Sequence, residues 1–241
     1  MLLEGKSAFI TGAGRGIGKG IALAFAGQGC DVAAAARTQS EVAATAEEVR
    51  KHGRKALALT CDVGDGASVQ AAVDAALAEF GRIDLLVNSA GYACFKPFTE
   101  LTPDEWQRSL DINLTGAFRC IKAVLPSMIE RRSGRIINIS SVAGLKPISD
   151  QSAYCASKFG LNGLTKVLAM ELRPYGIAVH AICPGGVDTR LSREAMPERD
   201  KTNWLQPEDV AHTALYLATL SPRAATDEVL VRRFGSVPIG G

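Results

Sequence analysis

The sequence predicts an α/β fold: a doubly wound, mostly parallel Rossmann-like sheet with helices on both faces, in a single domain over residues 1–241. Three observations predict it. Short apolar runs alternate with helix-length segments along all 241 residues. The runs are almost continuously apolar, as expected of strands covered by helices on both faces. A glycine cluster also stands directly between the first run and the first helix-length segment, where such folds bind a nucleotide at the start of a helix. Right-handed strand–helix–strand crossovers then wind the chain into one sheet.

The elements follow in order. Ser7–Thr11 reads as a buried strand, and Gly16–Gln28 as a helix ended by Gly29. Asp31–Ala36 is a second strand, followed by a helix near Ser40–Lys51 that Gly53 stops. Ala56–Cys61 is a third strand, and Ser68–Phe80 a helix with Gly81 as its natural C-cap. Leu85–Asn88 is a fourth strand, and the long segment Pro103–Arg131 is mostly helical. Arg135–Ile139, helix Ser152–Leu172, Ile177–Ile182 and helix Pro207–Thr219 complete the pattern, with Val229–Val231 as a short last strand. Thr189–Gln206 is the least regular stretch. It is polar, contains Pro197 and joins a strand to a helix, so it is expected to be a substrate loop over residues 189–206.

Composition narrows the function. The net charge is +2, too balanced for a nucleic-acid binder with its concentrated basic patch. Six cysteines are scattered without a Cys-x-x-Cys pair, and none of the three histidines stands near one at metal-ligand spacing. No metal site is expected, and the thiols suit a reducing, cytoplasmic setting. No apolar run reaches the ~18 residues of a membrane span. The glycine loop begins so early that no signal peptide is expected ahead of it.

Three motifs carry the chemistry. Thr11-Gly12-Ala13-Gly14-Arg15-Gly16-Ile17-Gly18 places glycines where backbone N–H groups can approach a pyrophosphate at a helix N-terminus. The second strand ends in Ala36-Arg37-Thr38. An acid there would accept the ribose 2′-hydroxyl of NAD; the guanidiniums of Arg37 and Arg15 instead suit a 2′-phosphate, so NADP(H) is expected over NAD(H). In Tyr154-Cys155-Ala156-Ser157-Lys158, Tyr154 and Lys158 are four positions apart, one helical turn on a shared face. A free tyrosine titrates near ~10, and a neighbouring ammonium is expected to lower that value.

Taken together, these motifs resemble the short-chain dehydrogenase/reductase family in its compact branch, with 3-oxoacyl reductase-like members the nearest general look. The resemblance runs from the first strand to about Thr189. It implies that Asn113, Ser141, Tyr154 and Lys158 are catalytic, with Ser140 the alternative to Ser141. Tyr154 would exchange the proton, Ser141 would hold the carbonyl oxygen, Lys158 would also contact the nicotinamide ribose, and Asn113 would order a water leading to the lysine. It further implies that Gly12, Arg15, Gly16, Ile17, Gly18, Arg37, Asp62, Val63, Asn88, Ala90 and Gly91 serve the nucleotide. Ser89 departs from the family's Asn-Asn-Ala-Gly. Pro184, Gly185, Val187 and Thr189 would hold the carboxamide end. Cys94, Phe95, Lys146, Gln151 and Gly186 are expected in the substrate wall, and Lys146, Arg190 and Arg193 could meet an anionic or carrier-bound substrate. The C-terminal stretch from Thr226 departs from the family's usual ending. The resemblance also implies a homotetramer acting on a small carbonyl or alcohol, without membrane or nucleic-acid partners. A catalytically silent NADP(H) sensor or scaffold is the alternative, and an epimerase or dehydratase on the same fold a third.

Overall fold

In the computed structural model, which describes residues 1–238, seven parallel strands form one sheet in the order β3-β2-β1-β4-β5-β6-β7. They are β1 Ser7–Thr11, β2 Asp31–Ala36, β3 Ala56–Thr60, β4 Leu85–Asn88, β5 Gly134–Ile139, β6 Ile177–Pro184 and β7 Glu228–Val231. The helices are α1 Gly16–Ala26, α2 Gln39–Arg50, α3 Gly66–Phe80, α4 Pro103–Leu110, α5 Gly116–Glu130, α6 Ser152–Glu171, α7 Arg190–Ala195 and α8 Pro207–Ala218.

Alternation within the strands divides the core between the two faces. Ala8, Ile10, Val32 and Ala34 pack with Ile21 and Phe25 of α1, Val42 and Val49 of α2, and Val210 and Leu217 of α8. Phe9, Ala33 and Ala35 point the other way, onto Val69 and Val73 of α3 and Ile121 and Val124 of α5. Because β1 pairs with both β2 and β4, the strand order reverses beside β1. A crevice opens there at the carboxyl ends of the strands, as open α/β sheets require.

Several element boundaries differ from the sequence expectation. Helix α1 stops at Ala26 with Gly27 as its C-cap, and Gly29 takes φ +94° beyond it. Helix α3 starts at Gly66 because the Asp65 side chain accepts a hydrogen bond from Ala67 N and caps it. The predicted long helix over Pro103–Arg131 is two helices joined by one π-helical turn, Asp111–Thr115. The stretch expected to be an irregular loop at 189–206 contains α7, started by a reciprocal cap between Thr189 and Ser192. That stretch is tied back to the sheet end by a bridge between Val187 and Leu205. Of the atypical C-terminal stretch, residues 239–241 lie outside those described. Among the described residues, no helix is long and apolar enough to cross a membrane, and all six cysteines are free thiols.

Candidate active site

The glycine loop bends because Gly12 and Gly16 adopt φ +64° and +55°, the left-handed region that favours glycine. Space matters as much as torsion. A Cβ on Gly12 would stand 2.8 Å from Ser89 O, and one on Gly18 only 2.4 Å from Gly12 O. Thr11 Oγ1 locks the two loops together by accepting hydrogen bonds from Ser89 N and Ala90 N at 3.0 and 3.1 Å. Ser89 takes part through its backbone, so its departure from the family pattern leaves this contact intact. Arg15 occupies the N-cap of α1 without a side-chain cap, which leaves first-turn N–H groups open to an anion.

The expected nucleotide residues Gly12, Arg15, Gly16, Ile17, Gly18, Arg37, Asp62, Val63, Ala90, Gly91, Tyr154, Lys158 and Thr189 all line one crevice over these strand ends. Four others do not: Pro184, Gly185 and Val187 line the space adjoining it, and Asn88 is buried beneath, donating to Asn138 Oδ1 at 2.8 Å and so joining β4 to β5. Arg37 forms no ion pair among the described residues, whereas Arg15 donates to Glu41 Oε1 at 2.9 Å. Arg190 of α7 lies 3.8 Å from the same oxygen. An acid therefore does reach this crevice, from the first turn of α2 rather than the end of β2. No motif marks Glu41; it arrives because Gly14 leaves room for it, a Cβ there meeting Glu41 Cβ at 2.8 Å.

Tyr154 and Lys158 stand one turn apart on α6. Lys158 Nζ donates to Ile139 O at 2.9 Å and lies 5.6 Å from the Tyr154 ring centre. Where a phenol below its free value is expected, the net shift is upward. Burial pushes the Tyr154 phenol up to about 12, with the Ser141 hydroxyl offsetting part of the rise. Burial also brings Lys158 down to about 8. Loss of water penalises both charged forms, and the ammonium is tethered to a carbonyl rather than to the phenol.

Ser141 is buried and caps a short 3-10 turn, accepting from Ala143 N at 3.1 Å. Its neighbour Ser140 donates weakly to Lys158 O at 3.4 Å. Asn113 sits in the π-helical turn, a distortion often found at functional positions. Its Oδ1 accepts from Tyr92 N at 2.8 Å, and its Nδ2 donates to Tyr92 O and to Ser157 Oγ at 2.9 and 3.0 Å. Ser157 in turn donates to Tyr154 O at 2.7 Å. Asn113 thus reaches the backbone of Tyr154 through one hydroxyl, without lining the crevice itself.

A second cavity of about 230 Å³ adjoins the first, and Tyr154 forms part of both walls. Phe95, Gln151 and Gly186 line it, together with Ser141, Pro184, Gly185 and Val187. Phe95 packs edge-to-face on Tyr154, with ring centres 5.3 Å apart. Cys94 and Lys146, expected in the substrate wall, line neither cavity. Lys146 is exposed on the turn after Ser141, and Cys94 turns toward Tyr92 and Glu105. Trp204, Met196, Ile148 and Arg233, which no local motif identifies, also line it.

Comparison with known proteins places this geometry. A family profile described as short chain dehydrogenase matches residues 6–200. A D-threitol dehydrogenase of Mycolicibacterium smegmatis is 42% identical over 226 residues, covering 90% of this chain and 87% of that protein. A 3-oxoacyl-[acyl-carrier-protein] reductase of Synechocystis is 38% identical over 229 residues, 92% of each chain. Among solved structures, a metagenomic short-chain oxidoreductase in complex with NADP superposes with TM-score 0.86 at 34% identity, covering 98% of this chain and 100% of that one.

Proposed function

The chain belongs to the short-chain dehydrogenase/reductase family of nicotinamide-dependent oxidoreductases, and on that premise we propose that it is an NADP(H)-dependent carbonyl reductase with Tyr154 as its proton donor. The observation that carries this reading is that Tyr154 forms part of both cavity walls, with Ser141 beside it in the second and Lys158 beside it in the first.

The first crevice fits a dinucleotide. Gly12 and Gly18 form a cradle that a Cβ would fill, the uncapped start of α1 suits a pyrophosphate, and Arg37 is available to a 2′-phosphate. When bound, the nicotinamide supplies the hydride of the reaction. The chain's own residues handle the oxygen and the proton. Ser141 and Tyr154 hydrogen-bond the carbonyl oxygen as negative charge develops on it. With its pKa near 12, Tyr154 is protonated throughout the neutral range and gives that proton as general acid. Lys158 keeps most of its charge at neutral pH and favours the phenolate left behind. Residues 189–206, with α7, form the substrate loop of this reading. The exposed Phe118, Phe159 and Met170 on α5 and α6 support assembly into a homotetramer through these helices. The six free thiols suit the cytoplasm.

Loss of NADPH absorbance with a panel of ketones and β-ketoesters, repeated with NADH, tests the activity. Turnover with NADPH is the expected result, and binding of NADPH without turnover of any carbonyl would favour the silent sensor. Arg37→Ala should weaken NADPH binding by roughly tenfold to a hundredfold, the worth of charge-assisted hydrogen bonds, and Arg15→Ala should add to the loss. NADH binding should change little. Equal losses for the two cofactors would remove the arginines from 2′-phosphate recognition.

A further inference from the structure

Among the described residues that line the cavity beyond Tyr154, one carries a charged side chain, and it is a cation. Arg233 follows β7, whose end is fixed against the reacting region because Gly185 N donates to Val231 O at 2.8 Å. A turn after the strand is held by Ser236 N donating to Arg233 O at 3.0 Å. Arg232 clamps this turn, its Nη1 donating to the carbonyls of Arg233, Phe234 and Ser236. The two adjacent arginines therefore have different fates: Arg232 is consumed by backbone carbonyls, while Arg233 lies over the Trp204 ring at 5.8 Å, at the cavity wall. Trp204 can stand there because position 186 is glycine, where a Cβ would come within 2.9 Å of its ring.

Lys201, 5.4 Å over the same Trp204 ring, donates instead to the carbonyls of Met196 and Arg199 at 2.6 and 2.8 Å. Arg193 pairs with Asp188 at 2.8 Å, and Arg190 with Glu194 at 2.6 Å. Lys146 lines neither cavity. Of Arg193, Arg190 and Lys146, on which an anionic substrate is expected, Arg190 lines the first crevice and none lines the second. Among the described residues Arg233 forms no ion pair, and none that lines its cavity is an acid. A guanidinium resting over an aromatic face still has its in-plane N–H donors available to a planar anion.

We propose that Arg233 is a substrate-recognition residue and that the physiological substrate is a small ketone, or the matching secondary alcohol, bearing a carboxylate. One guanidinium matches a monoanion and forms two parallel hydrogen bonds to a carboxylate. A dianionic phosphate would call for further cations, and the described lining residues include none besides Arg233. The apolar side chains of Phe95, Ile148 and Met196 then suit the carbon chain between the two polar ends. This inference rests on the reductase reading for its carbonyl and on Arg233 alone for its anion.

The test separates the two. Acetoacetate and levulinate, each beside its methyl ester, are titrated into protein saturated with NADP+, where they bind without being reduced, and binding is read from tryptophan fluorescence, to which Trp204 contributes. The same four compounds are then assayed for turnover with NADPH. At least one keto acid should bind better than its ester, and Arg233→Gln should cut that acid-to-ester ratio on the order of tenfold to a hundredfold. Arg233→Lys, which keeps the charge and loses the fork, should restore part of it. Ratios near one in the unmodified protein, or ratios that Arg233→Gln does not move, overturn the proposal even if the esters are reduced. Acid-selective binding that depends on Arg233 upholds the proposal even if no compound is turned over, and in that case the reductase reading fails instead.

Discussion

Tyr154→Phe is expected to lower the rate of carbonyl reduction by roughly two to four orders of magnitude, the usual worth of a positioned general acid. NADPH binding should be largely unchanged, because the substitution removes one hydroxyl and leaves the ring packed on Phe95. The pH profile should carry the signature of Lys158. Burial places its pKa near 8, so kcat/KM for reduction by the unmodified protein should hold steady below that value. It should fall as the pH rises through about 8, where the ammonium that favours the developing phenolate is lost. The Tyr154 phenol, near 12, contributes no break of its own in this range. Steady-state rates of the two proteins from pH 6 to 9, with fluorescence titration of NADPH, check both statements. Near-normal turnover by the phenylalanine variant would end the proposed mechanism.

Gly18→Ala should disable the nucleotide crevice although it adds one methyl group. That carbon would stand 2.4 Å from Gly12 O and 2.7 Å from Gly12 C, and both are backbone atoms that cannot rotate away. The glycine loop must shift, yet Gly12 is held in its left-handed conformation against Ser89 and Ala90. Overpacking of this kind costs about 1–3 kcal/mol, which in a chain this long lowers Tm by roughly 2–4 °C for each kcal/mol. Function should suffer more. A displacement of about 1 Å in a positioning loop can cost on the order of a hundredfold in turnover, and NADPH affinity should fall with it. Gly66→Ala is the control: it lies in the first turn of α3 with nothing within 4 Å of its added Cβ, so Tm and NADPH affinity should stay as they were. Thermal unfolding and NADPH titration of both variants decide the matter, and equal behaviour would show that the loop is not sterically closed at position 18.

Much of this protein was legible in its sequence, because the determining patterns are local. A strand covered on both faces must be apolar along its whole length, and a glycine loop between strand and helix marks the crevice by chain order alone. A Tyr and a Lys four residues apart share a helix face wherever that helix goes. Those regularities determined the sheet, the position of the crevice at the ends of β1 and β4, and the pairing of Tyr154 with Lys158. What depended on distant packing was decided only by the tertiary structure. Glu41 meets Arg15 across 26 residues, through space that Gly14 leaves open. Trp204 and Arg233 enter the second cavity from separate stretches of chain, brought together by the pairing of β7 with β6 and the absence of a side chain at Gly186. Asn88, matched by its motif to the nucleotide, is drawn beneath the crevice by its bond to Asn138. Burial raises the Tyr154 phenol, against the lowering that its spacing from Lys158 predicts. Spacing along a helix sets which groups are adjacent, but the water they lose is set by everything packed around them.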